Sequence, residues 1–328
     1  GYIFTLRAMK DGVSSMRHAF FRRALKLYGC HLALLFFLFT LITKIGMATN
    51  QPPVKNLVSY FLREPFTALW SSLLLIYKPP LLDILPMYVV FMLLSAWILT
   101  LGLRLGWMPI LTASFTLWLL AQFGFEKTVY QTVGDGLGVT VPFHEAGAFD
   151  FLAWQFLWVL GLALGAKTAN RSFAVRIPPP IIAGALVIGF AGFVWRHLAG
   201  QAPFGGSSAN VLLDKWHLGP LRLINFLALL TLSVRFGPRL AHRLRLGFLE
   251  ALGAASLPVF CTHLAVVLLA LALKGDMKTP LVLDAAILAI TFSLLYATAR
   301  LFRPVQTKSS RPLMPLSKPP GVDCPRSA

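Results

Sequence analysis

Eight uninterrupted apolar stretches constrain the fold of this chain more than any other feature of its sequence. A helix needs about 20 apolar residues to cross the roughly 30 Å hydrocarbon core of a bilayer. The eight stretches have about that length, and they lie at about 24–46, 81–102, 106–124, 147–167, 178–199, 218–235, 250–273 and 280–300. Because only helices and closed barrels can span a bilayer, runs of this length predict an all-α, polytopic transmembrane helix bundle.

The composition of the chain excludes the soluble, fibrous and disordered classes. Of its 328 residues, 57% are hydrophobic and 13% are charged, whereas about 25% of the residues in a soluble domain are charged. A soluble protein of this composition would leave large apolar patches in water. Three cysteines, Cys30, Cys261 and Cys324, form neither a disulfide framework nor a C-x2-C metal motif. We therefore expect no metal ion and no resident cofactor.

A ninth stretch, residues 55–77, is apolar overall but poorly suited to cross a bilayer. Arg63, Glu64 and Pro65 lie at its centre, and such residues are costly in hydrocarbon. Aromatic and polar residues alternate on either side of them. We predict an interfacial or re-entrant helix for this segment, with a ninth span as the alternative.

The positive charge of the chain is distributed unevenly over the predicted loops. Its formal net charge is +18, which suits either a nucleic-acid-binding protein or a membrane protein with basic cytoplasmic loops. If the eight spans alternate in direction, 19 lysines and arginines fall on the side of both termini and 10 on the other, with Lys26 inside the first span. Cytoplasmic loops are enriched in these residues, so we place both termini in the cytoplasm. The expected partner is a lipid bilayer and not a nucleic acid.

This topology divides the chain into three parts. Residues 1–23 form a basic cytoplasmic segment, residues 24–303 form the transmembrane domain, and residues 304–328 form a tail rich in Pro, Ser and Lys. A tail of that composition buries too little apolar surface to offset the entropy cost of folding, so we predict that it is disordered.

A group of cations stands at the cytoplasmic start of the first predicted span. Arg22 and Lys26 project from one face of a helix, with Arg23 on the adjacent face. Arginine binds phosphate through two parallel hydrogen bonds, so the group suits a phosphate-bearing cytoplasmic ligand. The alternative is that Arg22 and Arg23 only fix the orientation of the span.

Two histidines lie inside predicted spans. His31 belongs to the first span, and His263 lies near the middle of the seventh, five residues after Pro258. Ionisable residues inside a membrane usually face the bundle interior or a cavity. Each histidine could transfer a proton, or it could make a structural hydrogen bond between helices.

The other side of the predicted bundle carries most of the acidic residues. Asp83 and Asp150 lie at the starts of the second and fourth spans, and Lys215 and Trp216 precede the sixth. Carboxylates beside tryptophan suit a surface that binds sugars. Each of these residues alone could equally be a helix cap or a solvated loop residue.

Four ordered sequence blocks resemble the OpgC family of integral-membrane acyltransferases, which belongs to the acyltransferase-3 type superfamily. The blocks cover residues 79–88, 149–156, 215–226 and 256–263, and they read PPLLDILPMY, FDFLAWQF, KWHLGPLRLINF and SLPVFCTH. Arg22, Arg23, Lys26 and Tyr28 also resemble a basic motif of the superfamily, with Lys26 in place of a second arginine. The resemblance extends over about residues 1–303.

The resemblance implies a ten-helix enzyme of the bacterial inner membrane. It would move an acyl group, succinyl in the namesake, from cytoplasmic acyl-CoA to a hydroxyl group of a periplasmic glucan. The residues that this function would use are donor-binding Arg22, Arg23 and Lys26, the proton-relay candidates His31 and His263, and acceptor-side Asp83, Asp150, Lys215 and Trp216.

The start of the chain departs from the family pattern. Family members begin with a helix that carries an arginine-rich motif and a histidine, followed by a second helix that ends in S-G-Y. This chain begins with Gly1 and Tyr2, which match the last two of those residues. The resemblance thus implies a truncation by two helices that include the catalytic base, and we expect the chain as it stands to be nearly inactive.

Two other classes of protein fit parts of the sequence. A transporter or flippase with a proton path through His31 and His263 would share the basic cytoplasmic face. A structural scaffold would explain the charge bias but not the histidines inside spans. Dependence on acyl-CoA distinguishes the enzyme from the transporter, because a transporter should be indifferent to it.

Overall fold

The structure, a computed structural model, describes residues 1–170, 177–200, 208–243, 247–274 and 280–302. No β-strand occurs in these ranges, which confirms the all-α prediction. The predicted disorder of residues 304–328 concerns a segment outside them. The α-helices are α1 (Tyr2–Phe37), α2 (Thr43–Ala48), α3 (Pro52–Leu57), α4 (Ser59–Arg63), α5 (Pro65–Leu73), α6 (Ile84–Leu105), α7 (Trp107–Ala121), α8 (Phe125–Leu137), α9 (Phe151–Ala169), α10 (Pro179–Ala199), α11 (Pro220–Arg243), α12 (Gly247–Ala254), α13 (Ser256–Leu273) and α14 (Leu281–Leu301).

Within the described ranges, seven helical segments are long and apolar enough to cross a membrane. An eighth is added if α7 and α8, which meet at 87°, count as one broken span. All eight predicted stretches therefore coincide with these helices. We assign the span to α7, because α8 turns away from it after Gly124 and carries the charged residues Glu126, Lys127 and Asp135. Such a helix is typical of the membrane interface.

Gly12 reverses the direction of the chain within α1. Its φ of +84° and ψ of 166° are non-helical and are accessible in practice only to glycine. The rings of Phe4 and Phe20 stack with their centroids 3.8 Å apart, although residues 16 positions apart in a straight helix are about 24 Å apart. Residues 2–11 therefore pack back along the helix that follows. The segment 1–23, treated above as a basic loop, is helical from Tyr2 onward.

The N-terminal hairpin reaches α9 at a pair of glycines. A methyl group added to Gly165 would lie 2.5 Å from the backbone nitrogen of Tyr2, whereas one on Gly161 would meet no atom within 4 Å. Such close backbone approach is what small residues permit between membrane helices.

The long helix α1 runs antiparallel to α6. The guanidinium carbon of Arg17 lies 4.8 Å from the centroid of the Trp97 ring, while Leu34 shares a core cluster with Leu85. With a rise of about 1.5 Å per residue, His31 is roughly level with residues 83–88, where α6 begins.

A π-helix over Leu38–Ile42 joins α1 to α2 without a break in direction. The hydroxyl of Thr43 donates a hydrogen bond of 2.8 Å to the carbonyl of Leu38, five residues earlier. Beyond this turn α2 packs against α3 and α13 instead of α6.

Residues 52–73 form three short helices, none of which is long enough to span a membrane. The breaks fall at Val58 and Glu64, and Pro65 opens α5. The hydroxyl of Tyr28 donates a hydrogen bond of 2.9 Å to the carbonyl of Leu73, which fastens the end of α5 to α1. The structure thus confirms that this stretch is not a ninth span.

Helices α10 and α11 pack mainly against each other. They join the rest of the bundle near the start of α11, where Leu218 and Leu223 are buried with Trp118 and Ala153. Much of the remaining surface of both helices is exposed on the outside of the bundle.

Candidate functional site

Four ionisable side chains come together near the starts of α6, α8 and α9: Lys78, Asp83, Glu126 and Asp150. Asp83 and Asp150 immediately precede α6 and α9, and both are buried. Glu126 lies in the first turn of α8, and the charge of Lys78 acts on both Glu126 and Asp83. We call these four residues the carboxylate–lysine cluster. It contains two of the four predicted acceptor-side residues.

Glu126 and Asp150 share the N-terminus of α9. The amide of Leu152 donates a hydrogen bond of 2.9 Å to Oε2 of Glu126, and the amide of Ala153 donates one of 2.7 Å to Oδ1 of Asp150. Burial raises the pKa of Glu126, and the hydrogen bond and the negative charge of Asp150 raise it further. The pair therefore holds a proton at pH values where an exposed glutamate is ionised.

Lys78 provides one positive charge among the three carboxyl groups of the cluster. Burial lowers the pKa of its ammonium group, while the charges of Glu126 and Asp83 oppose that change. Burial raises the pKa of Asp83, and a hydrogen bond of 3.2 Å from the amide of Ala148 limits that rise because it stabilises the carboxylate. Protonation of the carboxyl groups thus decides the net charge of the cluster.

The loop before α9 holds Lys78 in place. The amide of Lys78 donates a hydrogen bond of 3.0 Å to the carbonyl of Glu145, and the carboxylate of Glu145 lies 3.6 Å from the guanidinium of Arg63. Gly147 has a φ of +105°, and a methyl group there would lie 3.0 Å from Cδ of Lys78. A residue with a side chain would both strain this turn and displace the lysine.

Lys215 and Trp216 lie beside the carboxylate–lysine cluster. The carbonyl of Trp216 accepts hydrogen bonds of 3.1 Å from the amide of Asp150 and from the indole of Trp154. The ring of Phe149 packs edge-on against that of Trp216, with centroids 5.0 Å apart, and Nζ of Lys215 lies 3.8 Å from the Trp216 ring centroid. The structure thereby brings the four predicted acceptor-side residues to one end of the bundle.

Arg22, Arg23 and Lys26 lie on an exposed part of α1. Because Arg22 is five residues beyond Arg17, it is roughly level with residues 92–97, the middle of α6. The expected position was the start of the span, and the difference arises because α1 is already helical alongside α6 well before residue 24. Within the described ranges none of the three cations forms an ion pair.

His31 is fully buried, and neither of its ring nitrogens has a hydrogen-bond partner within the described part of the chain. The backbone of Ser72 lies beside the ring. The hydroxyl groups of Ser72 and Tyr77 are also buried without a partner. Unsatisfied polar groups are expensive in a core, so three of them in the packing around α1 mark a polar site within it.

His263 lies on an exposed face of α13, and not in the bundle interior as its position in a span suggests. The reason is that α13 is apolar on all sides, so its sequence does not indicate which face is buried. Since His31 is unpartnered, the two histidines make no hydrogen bond with each other. Cys261, two residues earlier on α13, lies next to Cys30.

Sequence reasoning did not find Lys78 and Glu126. Lys78 directly precedes the block at residues 79–88, and a lone lysine between an apolar stretch and two prolines is the signal that could have found it. Glu126 comes two residues after Gly124, and only the sharp turn there brings it to α9. Among the described residues, no group of three or more His, Cys, Asp and Glu side chains is arranged to hold a metal ion.

This geometry defines a class: a polytopic α-helical membrane protein with a buried acidic site at one end of the bundle and exposed cations midway along α1. Residues 1–307 match the OpgC protein family, and the chain belongs to that family. Membership confirms the predicted family and implies a membrane acyltransferase that modifies glucans. No curated protein and no solved structure matches the chain.

Proposed function

We propose that this protein transfers an acyl group of the succinyl type from acyl-CoA to a hydroxyl group of a periplasmic glucan. It would act in the bacterial inner membrane with both termini in the cytoplasm. Family membership supports the reaction class. The excess of basic residues in the loops on the side of the termini supports the orientation.

The Glu126–Asp150 pair is the observation that carries the proposal. It would supply a base from residues of this chain, so the chain as it stands should transfer acyl groups, contrary to the near-inactivity that the resemblance implies. A general base works best when its pKa is near the working pH, and burial with a neighbouring carboxylate moves Glu126 in that direction. The hydroxyl oxygen of the acceptor attacks the thioester carbonyl carbon, forming a C–O bond as the C–S bond breaks. The hydroxyl proton passes to the carboxylate pair and the thiolate of CoA departs. The pair then releases that proton to water while the thiolate takes one from water, which restores the base and yields the free thiol of CoA.

The end of the bundle that holds the carboxylate–lysine cluster, here called the acceptor end, also offers groups that suit a sugar. Carboxylates accept hydrogen bonds from hydroxyl groups, and the cluster has three of them. The aromatic rings of Phe149, Trp154 and Trp216 pack next to Asp150. A glucan strand at this end would therefore meet both polar acceptors and flat apolar surfaces.

The cations on α1 support a phosphate-bearing donor. Charged side chains at mid-membrane depth are costly unless they face a cavity or a polar ligand. Arg22 and Arg23 are roughly level with the middle of α6, so a role limited to fixing the orientation at the membrane surface explains their position less well. Arginine matches the geometry of the CoA phosphates.

The transporter alternative has less support from the geometry. Its proton path requires His31 and His263 to lie along one polar route. His263 is exposed on α13, and His31 has no hydrogen-bond partner among the described residues.

Acyl transfer by Glu126→Gln in sealed membrane vesicles tests the proposal. We expect kcat to fall by about 10²–10⁴-fold, which is the usual loss of a general base, with the KM for acyl-CoA unchanged. The control is Asp135→Asn, which removes an exposed carboxylate from the same helix. Equal rates for the two variants would refute the role of Glu126. Movement of glucan across the membrane without acyl-CoA would favour the transporter.

A further inference from the structure

A cavity of about 700 Å³ lies between the end of α10 and the start of α11. Its polar part is lined by Arg196, Lys215 and Arg222, and its apolar part by Ile188, Leu221 and Ile224. Arg196 is in the last turn of α10, Arg222 is in the first turn of α11, and Lys215 belongs to the connection between them. The sequence assigned a role only to Lys215 among these residues.

The three cations have no carboxylate partner in the described part of the chain. Arg222 uses Nε to donate a hydrogen bond of 3.1 Å to the carbonyl of Leu213, which leaves its two terminal nitrogens for a ligand. Asp214, next to Lys215 in the sequence, is instead hydrogen-bonded to His217. The cavity therefore carries an uncompensated positive charge.

This charge lies at the end of the bundle where basic residues are few. The carbonyl of Trp216, next to Lys215, is bonded to Asp150 at the acceptor end. Only 10 of the 30 lysines and arginines fall on this side in the eight-span topology, and the three in the cavity are among them. The bias that places basic residues in cytoplasmic loops cannot explain these three, so their position points to a local anion.

The apolar part of the cavity continues toward the hydrocarbon core. Ile188 precedes Arg196 by eight residues, so it lies roughly 12 Å deeper along α10. The outer surfaces of both helices are exposed on the side of the bundle that would meet lipid.

We propose that this cavity binds the anionic phospholipid phosphatidylglycerol. Its phosphate lies between Arg196 and Arg222, where arginine can form two parallel hydrogen bonds. The glycerol of the headgroup faces the aqueous side of the cavity near Lys215, and an acyl chain follows Ile188 and Ile224 into the bilayer. Basic pockets between membrane helices are typical binding sites for anionic headgroups. The site is separate from the carboxylate–lysine cluster and does not depend on the proposed acyl transfer.

The test measures binding of a fluorescent phosphatidylglycerol to the purified, delipidated chain in neutral detergent. The double variant Arg196→Gln/Arg222→Gln should bind at least 10-fold more weakly than the unmodified protein. Arg104→Gln, which removes an exposed arginine from the end of α6, should bind like the unmodified protein. Arg196→Lys keeps the charge but loses the two parallel hydrogen bonds of a guanidinium group. Its affinity for the probe should therefore lie between those of the double variant and the unmodified protein.

Competitors identify which part of the lipid is recognised. Unlabelled phosphatidylglycerol should displace the probe, while phosphatidylcholine and millimolar inorganic phosphate should not. Equal binding by the double variant and Arg104→Gln would overturn the proposal, as would displacement by phosphatidylcholine. Displacement by phosphate alone would show a site for free anions and would equally overturn it. If the double variant does not fold, Arg196→Gln alone, expected to bind about 5-fold or more weakly, decides the question.

Discussion

Glu126 and Asp150 are 24 residues apart in the chain, yet they accept hydrogen bonds from the consecutive amides of Leu152 and Ala153. The partial positive charge of one helix N-terminus is thus shared by two carboxyl groups. Each carboxyl group satisfies one of the amides that the first turn of a helix leaves unpaired, so both cap α9. Their proximity also brings two acidic groups together in a buried place, which is why the pair retains a proton.

The pH dependence of stability should reveal the proton held by this pair. The pKa of Glu126 is raised from the ordinary value of 4.5. Above 4.5 the unfolded chain releases a proton that the folded chain keeps, so the stability present below 4.5 is lost as the pH rises through the raised pKa. Glu126→Gln resembles the protonated form, and its thermal midpoint in detergent should fall less between pH 5 and about pH 8.

The control for that measurement is again Asp135→Asn, whose thermal midpoint should fall between pH 5 and about pH 8 as much as that of the unmodified protein. Asp83, whose pKa burial also raises, contributes a decline of the same sign that Glu126→Gln leaves in place. A midpoint that falls equally in both variants would show that Glu126 does not hold the proton.

Removing the cations on α1 should weaken the binding of acyl-CoA, the proposed donor. We expect Arg22→Gln/Arg23→Gln to raise the KM for acyl-CoA by about 10-fold, because a charge-assisted hydrogen bond contributes about 1.5–3 kcal/mol. Added salt should raise the KM of the unmodified protein more than that of the variant, since less attraction is left to screen. Arg104→Gln is the control, and an unchanged KM with normal membrane insertion would favour a purely topological role.

Replacing His31 separates its structural role from a chemical one. In His31→Phe, a buried ring with two unpartnered nitrogens becomes an apolar ring of similar shape. Removal of an unsatisfied polar group should raise stability by about 1–3 kcal/mol, seen as a higher thermal midpoint. Acyl transfer should fall at the same time if the imidazole relays a proton. A lower midpoint would indicate that bound water or a ligand satisfies the ring.

The two glycines of α9 should respond differently to the same change. Gly165→Ala places a methyl group 2.5 Å from the backbone nitrogen of Tyr2, which forces the N-terminal hairpin away and should cost about 1–3 kcal/mol. Gly161→Ala meets no atom within 4 Å and should be neutral or stabilising by about 1 kcal/mol. Thermal midpoints of the two variants check this, and equal values would contradict the close approach at Gly165.

Cysteine labelling tests the orientation in the membrane. In a background without the native cysteines, Asp135→Cys on α8 and Leu240→Cys near the end of α11 should react with an impermeant maleimide from opposite sides of the membrane. Both positions are exposed in the structure. Labelling of both from one side would refute the eight-span topology, and labelling after permeabilisation confirms that each thiol is reactive.

The lengths of the apolar stretches were enough to predict the spans, because every helix that crosses a bilayer needs about 20 apolar residues. At residues 55–77, Arg63, Glu64 and Pro65 favoured an interfacial or re-entrant helix but left a ninth span open, and the three short helices of the structure favour the first. The reversal at Gly12 was not predictable, since a glycine inside a helical stretch is common and only tertiary contacts, such as Phe4 with Phe20, fix its backbone. The same applies to the 87° turn at Gly124.

Part of the candidate site follows from local rules. Asp83 and Asp150 stand where helices begin, and such positions favour carboxylates whatever the fold. Lys78 and Glu126 join them only through turns and packing, which no local pattern encodes. The face on which His263 lies was also unpredictable, because an apolar helix has no polar side to mark its exposed surface.

The π-helix at Leu38–Ile42 places a constraint on chain length. An extra residue in a turn rotates everything after it by about 100°, and this rotation aims Gly46 at the side chain of Val54, so closely that a methyl group on Gly46 would overlap it. Substitutions within Leu38–Ile42 leave that rotation intact, whereas the loss of one residue removes it. Homologues should therefore keep the number of residues in this segment even where its exposed positions, Thr40 and Leu41, differ.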